Sequence, residues 1–267
     1  MAFIDMHTTL NELANSCPVG FRVEVQSDSD FLEGKVPKAK EILTVPDEDI
    51  LGNGISHLGF TKEDIDADVA ENGNVNWLPL ETGLAQIEKV LSTLAKNGVI
   101  LVGYAVDGYI LRILNDAIER VLGKDGVEFR KDRLIDVERM SKVCVPLERC
   151  GNYFQRSVIA TLLGKEWIES GPQFQTLEWK VSATKAILRK LMEERGLAGI
   201  QDVVSFLGKP HMVDRFNFGK YKGQRISDVY AKDRQYFSWL LSRKDLFEED
   251  GDMLYTVSKM LDGGKDG

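Results

Sequence analysis

Apolar residues recur at helical spacing through much of the chain. In "ETGLAQIEKVLSTLAKNG" the side chains of Leu84, Ile87, Leu91 and Leu94 fall on one face, and the stretch ends at Gly98 in a cap position. "VILVGYAV" follows as a continuous apolar run, the pattern of a strand buried on both faces. "GYILRILNDAIERVLG" returns to helix, with Leu111, Leu114, Ala117 and Val121 on one stripe, and "RLIDVERM" reads as a short strand. "YFQRSVIATLLG" and "WKVSATKAILRKLMEERG" read as helices, each closed by a glycine. Strands that alternate with helices predict an α/β layer fold.

A boundary is expected near residues 193–201, dividing the chain into a domain over 1–197 and a smaller α+β module over 198–267. In the second part "IQDVVSFLGKP" predicts a short helix, and "FNFGKYKGQRISDVY" predicts a strand–turn–strand with Gly219 and Gly223 in the turn. "DRQYFSWLLSR" predicts a helix capped by Asp233, with Phe237, Leu240 and Leu241 facing inward. "EEDGDMLYTVSKML" closes the pattern, and the last residues are expected to fray. No internal repeat stands out.

Composition changes this picture little: 43% hydrophobic and 28% charged over 267 residues is ordinary for a globular protein. No apolar run approaches the roughly 18 residues of a membrane span. The first residues lack a secretory pattern, so a cytoplasmic location is expected, host cytoplasm if the protein is viral. Cys17, Cys144 and Cys150 have no metal-type spacing and are expected as reduced thiols.

Charge adds more. Residues 1–80 carry 15 acidic against 5 basic side chains, while the whole chain has a net charge of −8. The acids gather at Asp28 and Asp30, at Asp47, Glu48 and Asp49, and at Asp64, Asp66, Asp68 and Glu71. Such a surface attracts basic partners and repels phosphate. Lys220, Lys222 and Arg225, interleaved with Phe218 and Tyr221, suit nucleic acid by charge and stacking. Equally, Phe216, Phe218 and Trp239 read as the core of a small module, and Asp214, Asp228 and Asp233 nearby weaken the basic patch.

Candidate chemistry begins at "FIDMHTTL", where Asp5 ends an apolar run. With "HLGFTKEDI", "LVGYAVDGYILRIL", "LIDVERM" and "LEWKVSATKAIL" following in order, the chain resembles the DnaQ-like (DEDD) 3′–5′ exonucleases. The tail "SFLGKPHMVDRFNFGKYKGQRISDV", followed by "YFSWLL", resembles an exonuclease X-type C-terminal module. The resemblance implies an RNase H-like fold, a mixed sheet flanked by helices.

It also implies four carboxylates around two divalent ions, which repel each other and need several anionic oxygens. Carried across residue by residue, Asp5 keeps the first carboxylate, while His7 stands for the Glu and Tyr109 for the second-motif Asp. Tyr104 and Ala105 replace a His–Asn pair, Gln175 falls at the His position, and Lys180 falls where the last Asp belongs. An ammonium about 4 Å from a divalent ion is repelled by about 8 kcal/mol at an effective dielectric of about 20. The expectation is therefore no metal, no catalytic residue and no enzyme.

In that reading the scaffold is a non-catalytic binding protein or inhibitor. Its acidic face docks a basic, RNA-binding segment of a nucleic-acid enzyme or ribonuclease scaffold, as in phage inhibition of host RNA degradation. A homodimer is expected only because symmetric pairs are the commonest assembly. Two alternatives stand beside it: an active exonuclease using Mg or Mn held by relocated ligands, with Asp107 and Glu178 as candidates, and a nucleic-acid-binding subunit that does not cleave.

Overall fold

The computed structural model describes residues 1–8, 18–45, 77–169, 176–216, 218–247 and 251–263. The first strand shows how the sheet is built. In β1 (Ala2–Thr8) side chains alternate, so Phe3 and Asp5 face one side while Ala2, Ile4 and Met6 face the other. β2 (Pro18–Val25) pairs antiparallel with it, setting Phe3 opposite Glu24 and Asp5 opposite Arg22. β3 (Lys38–Val45) continues antiparallel, and β4 (Trp77–Pro79) pairs parallel at the edge. On the other side of β1, β5 (Leu101–Gly103) and β6 (Leu134–Asp136) run parallel, giving the order β4-β3-β2-β1-β5-β6.

Helices cover both faces. After the single turn of α1 (Asp28–Leu32), α2 (Leu80–Lys96) buries Leu84, Ile87, Leu91 and Leu94, the stripe expected from spacing. With α3 (Leu111–Ala117) it closes a core over Ile4, Met6, Phe21 and Val23. Each such side chain removed from water contributes roughly 1.5–3 kcal/mol. A Cβ at Gly83 would lie 2.3 Å from the Thr44 side chain, so only glycine lets α2 approach β3 this closely. The opposite face is covered by α4 (Val137–Cys144), α5 (Leu147–Cys150), α6 (Gln155–Leu162), α7 (Lys165–Glu169) and α8 (Leu177–Arg195). Phe3, Val102, Ile135, Trp179, Ile187 and Leu191 meet there.

Three expected elements take another form. The strand in "VILVGYAV" stops at Gly103, because Asp136 takes the N–H groups of Ala105 and Asp107 and turns the chain there. Ala105 is left-handed (φ 56°), and Val106–Ile110 form a π-helical turn leading into α3. In "RLIDVERM" the strand ends at Asp136, which caps α4 by accepting from the N–H groups of Glu138 and Arg139. The strand–turn–strand of "FNFGKYKGQRISDVY" reduces to one antiparallel bridge between Arg215 and Arg225. Ile226 and Val229, three apart and both buried, belong instead to the helix α10 (Ile226–Lys232).

The core changes hands later than residue 197. Ile200, Val203 and Leu207 of α9 (Ile200–Leu207) bury into the sheet domain. A separate cluster starts with Phe216 and includes Ile226, Phe237, Leu240 and Val257, contributed by α10, α11 (Arg234–Ser242) and α12 (Gly251–Gly263). Asp233 caps α11 by accepting from the Tyr236 N–H. Arg139 of α4 ties the two cores together, donating to both Asp252 carboxylate oxygens at 3.1 Å and to the Leu207 carbonyl at 2.8 Å. Among the described residues no helix is long and apolar enough to cross a membrane.

Candidate active site at the strand ends

Asp5 sits in the middle of the sheet on the face covered by α8, and is 3% exposed. α8 starts at a fixed point because the Thr176 hydroxyl accepts from the Trp179 N–H at 3.1 Å. One residue later Lys180 reaches across to β1. Its ammonium lies 2.7 Å from Asp5 Oδ1 and donates to the Met6 carbonyl at 2.7 Å. The Met6 N–H donates to the same carboxylate oxygen, so two donors share it. Gln155, the first residue of α6, steadies this turn by donating to the Lys180 carbonyl and the Thr184 hydroxyl.

A second ammonium repeats the arrangement deeper in the same face. Lys185 lies 2.5 Å from Glu24 Oε2 and 5.0 Å above the Phe3 ring. Burial pulls this ammonium below the usual lysine range, while Glu24 opposes the shift. Arg22 completes the row, 2.7 Å from Glu24 and 3.1 Å from Glu41. Glu178 is on the outside of α8, 73% exposed at its side chain and 4.0 Å from Arg22, so it does not join Asp5.

The other motif positions are scattered. Tyr109 packs against the apolar cluster on the opposite face of the sheet. His7 stands opposite Gly20 in the β1–β2 ladder, and its side chain lies outside the described residues, as does Gln175. Asp107 is exposed, and its N–H donates to Asp136. Asp136 itself is the carboxylate that the sequence reading passed over as a site residue. Its signal was local: an Asp at the end of a strand and immediately before a helix. Oδ1 accepts from Ala105, Glu138 and Arg139, and Oδ2 from Asp107. Burial pushes its carboxyl up to about 6, against the pull of these backbone donors.

The described residues at these positions do not fit the paired divalent ions implied by the family resemblance. Among the described residues no group of three or more His, Cys, Asp or Glu is placed to hold a metal ion. The one motif carboxylate among them already holds an ammonium.

Of the acidic docking face, Asp28 and Asp30 are the members within the described residues. Asp28 accepts from the Ile200 N–H, and Asp30 pairs with Lys35 at the start of α1. Asp47, Glu48, Asp49, Asp64, Asp66, Asp68 and Glu71 lie outside the described residues, as do His57 and Cys17. The basic trio separates. Arg225 is held by Glu148 together with Arg215, which keeps the Glu148 carboxyl down at about 2, while Lys220 pairs with Asp233 and Lys222 is exposed. His211 is within hydrogen-bonding distance of the Phe206 carbonyl and lies against its ring. Cys144 and Cys150 are free thiols, both pushed up by burial.

Comparison with solved structures decides the fold. A product-bound exonuclease I matches 78% of this chain and 45% of its own at a TM-score of 0.54, with 14% identity. Exonuclease I from Methylocaldum szegediense matches 78% of this chain and 42% of its own, at a TM-score of 0.52 and 14% identity. The fold is the RNase H-like exonuclease fold. Escherichia coli exonuclease I in complex with a dT13 oligonucleotide gives a TM-score of 0.53 at 15% identity, over 73% of this chain and 41% of its own.

Residues 216–245 match the family model described as Exodeoxyribonuclease X-like C-terminal. Exodeoxyribonuclease 10 of Escherichia coli (strain K12) is 36% identical over 62 residues, 23% of this chain and 28% of that protein. The protein of the same name from Escherichia coli O6:H1 matches to the same extent. The chain therefore aligns with little more than a quarter of these relatives. The expectation that the protein is not an enzyme is corrected here: the relatives are named exodeoxyribonucleases, and the structural neighbours are exonucleases.

Proposed function

We propose that the protein is a nuclease acting on the ends of single-stranded nucleic acid, with DNA as the favoured substrate. One observation carries this reading. An exonuclease I-like scaffold and an exodeoxyribonuclease X-like C-terminal segment occur together in one chain. Both likenesses point to the same class of substrate. The dT13 ligand of a structural neighbour supports single-stranded DNA. The expected acidic docking face has no comparable support, and nuclease action takes its place.

The chain's own contribution at the strand ends is electrostatic. Lys180 and the Met6 N–H hold the Asp5 side chain at a fixed point under α8. Because the described donor set does not fit two metal ions, no chemical step is assigned to these positions. End-labelled single-stranded DNA and RNA, incubated with the full chain in Mg²⁺, in Mn²⁺ and in EDTA, test the reading. Stepwise shortening of the DNA is expected. Intact substrate in both metals overturns the proposal.

A further inference from the structure

We propose that Trp239, backed by Tyr236, is a stacking platform for the bases of single-stranded nucleic acid, separate from the strand-end pocket. Trp239 lies on α11, next to buried Phe237 and Leu240, yet is itself 47% exposed. Tryptophan joins a large apolar face to a polar N–H, which suits a ring that meets a ligand at the surface. Its inner face is occupied: the ring stacks on Tyr236, centroids 5.5 Å apart and planes 20° apart. Tyr236 in turn meets Tyr221 edge-on at 5.0 Å, and the Tyr221 hydroxyl donates to Asp233 at 2.8 Å. The platform is thus held before any ligand arrives, which lowers the ordering cost of binding.

Charge selects the ligand. Residues 216–245 carry 7 basic against 3 acidic side chains, in a chain whose net charge is −8. The Lys220 ammonium lies 4.6 Å over the Tyr221 ring and 4.9 Å over the Tyr236 ring, and pairs with Asp233 at 3.0 Å, so it helps to hold the stack in place. Lys222 is exposed two residues further along the same turn. Arg225 takes no part, since Glu148 holds its guanidinium. An apolar partner surface would suit the ring alone. An exposed aromatic face in a segment of net positive charge suits bases joined by phosphates. Stacked pairs in a duplex hide their faces, so single strands are the form that fits.

The choice of ligand rests on the nucleic-acid reading above, but the test runs in EDTA, apart from cleavage. Fluorescence anisotropy of labelled short oligo-dT with the full chain should show binding that Trp239→Ala weakens about tenfold. A matched duplex should bind more weakly than the single strand. Lys222→Ala should weaken binding less and flatten its salt dependence. Tryptophan emission supplies a second readout that needs no alanine variant. Oligo-dT should quench the wild-type protein, and Trp239→Phe should remove that quenching while it keeps most of the affinity.

Unchanged affinity in a folded Trp239→Ala variant overturns the proposal. So does equal affinity for duplex and single strand, or quenching that persists in Trp239→Phe. Binding that depends on Trp239 without any cleavage in metal counts against the nuclease reading alone.

Discussion

At the scale of single residues, Lys180 and Asp5 depend on each other. The Asp5 side chain is 4% exposed and that of Lys180 22%, so either charge alone is left in a medium that solvates it poorly. Lys180→Ala is expected to lower unfolding stability by about 3 kcal/mol in urea titration. Combining Asp5→Asn with Lys180→Met should recover much of that loss, because both charges are then gone. If Lys180→Ala costs no more than an exposed lysine, the pair is not holding β1 to α8. The sequence shows that residue 180 carries the wrong charge for a metal ligand. It gives no sign that the ammonium goes to Asp5, which lies far away along the chain.

At the scale of elements, the junction of β6 and α4 turns on Asp136. Its carboxyl is raised to about 6 by burial, so the folded protein holds a proton that the unfolded chain releases near the ordinary value of 3.8. Between about pH 4 and about pH 6 the folded state binds more protons from this group. Its contribution to stability is therefore present at the acid end and is lost as pH rises through that window. Urea midpoints measured across this range should decline for the wild type more than for Asp136→Asn. Equal slopes would show that the backbone donors keep the carboxyl ionised throughout. The same residue explains why β5 is short: Asp136 draws the N–H groups of Ala105 and Asp107 away from strand geometry. The apolar run "VILVGYAV" contains nothing that announces this, because the carboxylate arrives from about 30 residues downstream.

For the whole molecule, the question is what fastens the C-terminal module to the sheet domain. Asp252 accepts from two nitrogens of Arg139 and from the His211 N–H, and its side chain is only 12% exposed. Arg139→Met should leave that carboxylate short of donors. Amides of α12 should then exchange hydrogen faster, while those of β1 and β2 remain protected. Uniform acceleration across the chain would mean that the two cores unfold as one unit. The nuclease and stacking proposals belong to this scale too, since one rests on the exonuclease-like scaffold together with the C-terminal segment and the other places its ligand on α11.

Local signals were legible in the sequence wherever the physics is local. The stripe of α2, the glycine that ends α8 in a left-handed turn and the Asp233 cap of α11 are each fixed by neighbours a few residues apart. The helices α6 and α8 and the alternation of strands with helices are legible for the same reason, whereas the β2–β3 pair is not. Tertiary structure alone decided which charges meet: Lys180 with Asp5, Lys185 with Glu24, Arg225 with Glu148. Spacing along the chain does not encode such pairs. Only packing brings such partners within reach, and around Lys185 and Glu24 it also removes the water that would otherwise keep the charges apart.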